Sequence, residues 1–310
     1  MSHQIVYKEG AGRKILGSYK NGNYYVSIYD DGTKVRMQPD DTADFIPAFA
    51  ENCDVKITDK CDGGCPFCYE GCTIQGKHGD LLGLPLWNTL HPYTELAING
   101  NDLSHPQLEE FLRLMKDKNI IVNMTVNQKH FKQHYAMLCK LNDEGLVHGI
   151  GISLVDPDPY FIDMVAPAFP NAVIHTINGI TTPKQYQAMY DKELKVLVLG
   201  YKMRGRGDEY LKTHLPYITT NMMWLKDNIK DMVNHFKVVS FDNLALEQLN
   251  IQGAGILTPG QWNEFYMGDD GGYTFYIDLV KKEFAKNSVS DKRYPLLDNI
   301  DDMFRKIQAA

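Results

Sequence analysis

The chain has 310 residues, 44 % of them hydrophobic, and a formal net charge of −7. That is enough apolar material for a large core, and too acidic a balance for a protein whose main task is gripping nucleic-acid backbone. The first residues, Met1-Ser2-His3-Gln4, lack the basic start and apolar run of a signal peptide, and no apolar run approaches the roughly 20 residues of a membrane span, so a soluble, cytoplasmic protein is expected. Six cysteines, four of them between Cys61 and Cys72, fit a metal site in a reducing compartment better than a disulfide framework.

In chain order, Ile15 to Lys20, Tyr24 to Tyr29 and Lys34 to Met37 read as strands of a small antiparallel ribbon. Asn21-Gly22 and Asp31-Gly32 separate them, the dipeptides that most favour tight hairpin turns. Gln38-Pro39-Asp40-Asp41 then breaks the pattern. From about Glu51 short strands and helices alternate. Cys53 to Thr58 is a strand that delivers the chain into a cysteine loop, and Thr94 to Ile98 is a second, ending in Asn99-Gly100-Asn101-Asp102. The next helix is expected to start on a capping box of Ser104 and Gln107, with Pro106 in its first turn. Ile120 to Asn127 alternates an apolar face (Ile120, Val122, Met124, Val126) with a polar one carrying Asn123, Thr125 and Asn127, as a strand lining a site would.

Further units follow: a helix near 130–142, strands at His148 to Leu154, Asn171 to Asn178, Leu194 to Gly200 and Val238 to Phe241, a helix capped by Thr182, and another over Met222 to Phe236. Such a succession implies a parallel sheet, most simply a partial (β/α)6-type, TIM-like barrel over residues 51–250. Residues 1–50 form its N-terminal antiparallel β-ribbon. Residues 251–310 form a C-terminal α+β cap, with a hairpin of Glu264 to Met267 and Tyr273 to Ile277 around Gly268 to Gly272, and a last helix, Ile300 to Gln308. Ribbon and hairpin are both expected over the barrel mouth.

The chemistry concentrates in Cys61-Asp62-Gly63-Gly64-Cys65-Pro66-Phe67-Cys68. Three soft thiolate ligands spaced C-x3-C-x2-C, on a backbone that glycines allow to curl, suit an iron–sulfur cluster or zinc. A structural zinc site would be completed by Cys72 or His78.

The cysteine loop, set directly after the first strand of a β/α array and with aromatic Phe67 before its last cysteine, resembles the radical S-adenosylmethionine superfamily, here as a short, single-cluster member. The resemblance covers about residues 51–250. It implies a [4Fe-4S] cluster on Cys61, Cys65 and Cys68, S-adenosyl-L-methionine bound at the open iron, and reductive cleavage to a 5′-deoxyadenosyl radical that abstracts hydrogen from an unactivated carbon. It places Phe67 near the adenine. Gly100, Asn101 and Asp102 stand where the family often has Gly-Gly-Glu against the methionine amino group, and Ser153 stands where the ribose is contacted. It also implies an electron donor such as flavodoxin or ferredoxin and a substrate that is a peptide or a small polar or nucleoside-like molecule; a large nucleic acid is disfavoured by charge. Cys72, Asn127 and Lys202 are the candidates for direct catalytic roles. Lys202, Arg204 and Arg206 read either as a cationic rim or as a solvated loop, while His175 reads as a satisfied barrel histidine rather than a base, Cys139 as a core residue and Cys53 as structural. The competing reading is a non-catalytic zinc- or Fe–S-binding regulatory or assembly protein.

Overall fold

The computed structural model describes residues 3–7, 13–39 and 44–310. Asp40 and Asp41, which end the ribbon in the sequence reading, lie outside them. The fold is mixed α/β: a large, mostly parallel central sheet and a separate three-stranded antiparallel sheet. In chain order the strands are β1 (His3–Tyr7), β2 (Ile15–Asn21), β3 (Tyr24–Tyr29), β4 (Lys34–Met37), β5 (Asn52–Lys56), β6 (Glu95–Asn101), β7 (Ile121–Asn127), β8 (Gly149–Ser153), β9 (Ala172–Ile177), β10 (Lys195–Leu199), β11 (Val238–Phe241), β12 (Thr274–Asp278), β13 (Glu283–Ala285) and β14 (Tyr294–Pro295).

Strands β2, β3 and β4 make the small sheet, as the Asn-Gly and Asp-Gly turns require. Gly22 has φ +58°, and a Cβ there would lie 1.8 Å from the carbonyl oxygen of Ile46. No other residue fits that turn. The large sheet runs β1-β11-β10-β9-β8-β7-β6-β5-β12-β13-β14. Every pair from β11 through β12 is parallel, so seven strands follow one another in sequence order and β12 joins the other flank of β5.

Alternation along each strand sets the two faces. On β7, Val122, Met124 and Val126 are buried against the helices, while Asn123, Thr125 and Asn127 face a common cavity. The main apolar cluster lies between the sheet and its helices; a second, smaller one joins Tyr24, Val26 and Ile28 of the ribbon to Ile121.

Several local expectations change in the tertiary context. The Ser104–Gln107 capping box does not form: Gln107 Oε1 instead accepts from the Leu81 amide at 2.8 Å, and Ser104 bonds Asp102. The Glu264–Ile277 hairpin is also absent. Pro259–Phe265 is a helix, begun by a capping box of Thr258 and Gln261, and β12 pairs with β5 and β13 instead. The helix expected over Met222 to Phe236 starts at Arg206 and runs to Met232, kinked at His214, two residues before Pro216.

The ribbon does not cover the mouth. Asn171 donates to the Asp30 carbonyl and Lys195 to that of Asp31, while Lys34 pairs with Glu95, all at the N-terminal ends of the parallel strands and opposite the cysteines. A buried network pins it there: Glu51 accepts from Tyr24 (2.6 Å) and twice from Arg36 (2.8 and 3.0 Å). Burial alone would raise the Glu51 carboxyl, but Lys34 and then Arg36 hold it below the ordinary range. Among the described residues no helix is long and apolar enough to cross a membrane.

Candidate active site

One cavity of about 1590 Å³ is lined by inward residues of every strand from β5 to β12. Cys61, Cys65 and Cys68 line one end of it, just beyond the C-terminal end of β5, and all three are free and half-buried.

The loop is held by residues distant in sequence. The Gly63 amide donates to Cys61 Sγ at 3.3 Å, and Asp62 pairs with the buried His130 from the helix after β7. Arg206 spans the loop: its Nε donates to the Cys65 carbonyl and its Nη1 to that of Cys72, both at 3.0 Å, while its own amide donates to the Cys68 carbonyl. Gly205, at φ +54°, approaches so closely that a Cβ would lie 2.5 Å from the Tyr69 carbonyl oxygen. Arg206 is therefore a clamp on the cysteine loop rather than part of an open cationic rim. Arg204 donates to the Ser290 carbonyl, and Lys202 bonds Ser288 and sits 4.1 Å from the centre of the Tyr69 ring.

The second strand's end ties to the same loop. Asn99 accepts from the Ile57 amide (2.6 Å) and donates to the Thr58 carbonyl, and Asn101 donates to the carbonyls of Thr58 and Lys60. Asn101 (φ +48°) sits at an irregularity in the β6–β7 register, which turns its amide toward the cysteines. Phe67, Asn101 and Ser153 line the cavity. Gly100 points the other way, where a Cβ would crowd Met124 and Val126, and Asp102 turns to Ser104; neither lines the cavity. Asn127 caps the following helix through the Lys129 amide and has Nδ2 3.8 Å from Cys65 Sγ.

The donor set is suited to metal. A Cβ built on Gly63 would fall 3.2 Å from Cys61 Sγ and 3.8 Å from Cys65 Sγ, so the missing side chain leaves open the space between two thiols. Cys68 is held below the ordinary thiol range, first by the Cys72 thiol beside it and further by backbone amides and Arg206, against burial; burial raises Cys61 and Cys65. Among the described residues no three His, Cys, Asp or Glu side chains converge as a single metal ion would need.

Two features escaped the sequence reading. Glu70 is a half-buried carboxylate beside the loop, bonded by Asn99 and Tyr69 and raised by desolvation, with Lys56 opposing. Its position two residues after Cys68 gave no signal, because burial there depends on the loop's closure. The His175 ring is not satisfied as expected: no hydrogen-bond partner meets it among the described residues, and it faces the cavity. Cys72 is buried and touches Glu70 and Asn101; Cys53 is buried in the core and Cys139 packs against it.

No protein-family model matches the chain, and no curated protein matches it significantly.

Proposed function

We propose that this chain is a radical S-adenosylmethionine enzyme, with a [4Fe-4S] cluster on Cys61, Cys65 and Cys68. The observation that carries the reading is positional: the three-thiol loop leaves the C-terminal end of β5 at one end of a large cavity, where Asn101, Asn127 and Ser153 end neighbouring parallel strands. Inward residues of eight adjacent strands share that cavity, which supports a sheet curved into a partial β/α barrel.

The three residues fit such a group by donor chemistry and by the space Gly63 leaves between two of the thiols. A multi-iron cluster bonds each thiolate to a different iron, so the sulfurs need not converge on one point as a zinc tetrahedron demands. Bound there, the cluster supplies the electron that splits S-adenosylmethionine into methionine and a 5′-deoxyadenosyl radical, which takes hydrogen from an unactivated carbon. The chain's own residues position and insulate. Arg206, His130 and Asn101 fix the loop, and the Asn127 amide beside Cys65 Sγ tunes that thiolate. Phe67, packed edge-on to Tyr210 at 5.8 Å, offers an aromatic face for the adenine, and Asn101 and Ser153 offer polar contacts. The external electron arrives from a flavodoxin- or ferredoxin-like donor.

The test is anaerobic purification. A brown protein with about four irons per chain, forming 5′-deoxyadenosine when reduced with S-adenosylmethionine, is expected. A colourless zinc protein refutes the proposal.

A further inference from the structure

The cavity has a second chemistry at the end away from the cysteines. Lys195, the first residue of β10, points into that end. Among the described residues its ammonium donates only to neutral oxygens, the Asp31 carbonyl (3.2 Å) and Asn171 Oδ1 (3.3 Å), and no carboxylate lies within ion-pair distance of it. Nearby Lys34, by contrast, is matched by Glu51 and Glu95. Burial lowers Lys195, with Asp31 opposing, as expected of a cation short of a counter-charge.

One layer further in, β8 carries Gly151, and a Cβ there would lie 2.4 Å from His175 Nε2 and 3.0 Å from Thr125 Oγ1. The glycine lets both side chains reach over β8. Neither has a hydrogen-bond partner among the described residues, and both face the cavity. Burial holds the imidazole down to about 4, so at neutral pH it is an uncharged donor and acceptor. Unpaired polar groups in a partly buried wall are costly unless a ligand or water completes them. His175 pairs in register with Leu197, two residues along β10 from Lys195, which sets the two features roughly 7 Å apart along the strands.

We propose that this half of the cavity binds a small organic anion, its acidic group on Lys195 and a polar group further along the molecule between His175 and Thr125. Only the statement that this anion is the enzyme's substrate rests on the radical reading above. In that case its acidic end anchors at the floor and its other end extends toward the cysteines.

The site can be probed without a cluster. Inorganic phosphate titrated into the full chain at low ionic strength, followed by 31P line broadening, is expected to bind saturably. Lys195→Met should weaken it at least tenfold, Lys195→Arg should retain it, and the exposed Lys226→Met should leave it unchanged. Glycerol phosphate should bind more tightly than phosphate, and the double variant Thr125→Val/His175→Leu should erase that gain while leaving phosphate affinity intact. Absence of saturable binding, or equal losses in Lys195→Met and Lys226→Met, overturns the site. A glycerol phosphate gain that survives the double variant overturns the His175–Thr125 part. Cys65→Ala should bind phosphate normally, so failure of the anion site and failure of the radical chemistry are read separately.

Discussion

Replacing Arg206 with alanine removes two charge-assisted hydrogen bonds, to the carbonyls of Cys65 and Cys72, that join the loop after β10 to the cysteine loop. Bonds from a charged donor contribute about 1.5–3 kcal/mol each. The loop is only half-buried, so water satisfies much of what the freed carbonyls lose, and a net of about 2–3 kcal/mol for local opening is expected. At 1.4 kcal/mol per tenfold, that is roughly 30- to 150-fold faster local opening. Native-state hydrogen exchange reads it directly at the Cys68 and Gly71 amides, which bond the Cys65 and Cys68 carbonyls inside the loop. The amides of β7 should not change. Arg206→Lys should fall between, because an ammonium cannot span two carbonyls in a fixed fork. Unchanged exchange at Cys68 and Gly71, or equal acceleration in β7, would show that Arg206 does not act as a local clamp.

Glu51→Gln leaves Lys34 and Arg36 buried without their shared carboxylate and should cost roughly 3–5 kcal/mol in urea unfolding, and a loss under about 1 kcal/mol contradicts the role given to this network. His175 imposes a pH dependence. Burial lowers it from 6.5 to about 4, so between those values the unfolded chain takes up a proton that the folded chain refuses, and stability falls as the pH drops through that window. The wild type should lose up to about 2 kcal/mol more than His175→Gln between pH 7 and pH 5, less where cavity water solvates the ring, and parallel curves would remove His175 from the account. Cys65→Ala should purify without iron and form no 5′-deoxyadenosine. Asn101→Ala should weaken S-adenosylmethionine binding in equilibrium titration while Asp102→Ala leaves it nearly unchanged, and the reverse order would show that the second strand's end is wrongly read.

Much of this protein is written in short-range sequence. The turns at Asn21-Gly22 and Asp31-Gly32 need backbone conformations that few residues adopt, so the ribbon's strands were legible almost to the residue. The two-residue alternation of Ile120 to Asn127 depends only on strand geometry, and the observed faces follow it. The spacing of Cys61, Cys65 and Cys68 marks a candidate ligand loop before any fold is known, and the fold sets all three thiols on the wall of one cavity. Contacts between distant segments were decided only in three dimensions. Gln107 was free to cap its own helix until Leu81 arrived beside it. The ribbon carries no local mark of which end of the sheet it covers; its buried charges found partners in Glu51 and Glu95 at the end opposite the cysteines. The Arg206 clamp bridges 141 residues to Cys65, and the His175 ring reaches over β8 because Gly151, on a different strand, makes room for it. Local sequence determines backbone conformation and side-chain alternation, whereas burial and partnership of charged and polar groups are set by which distant segments the folded chain brings against them.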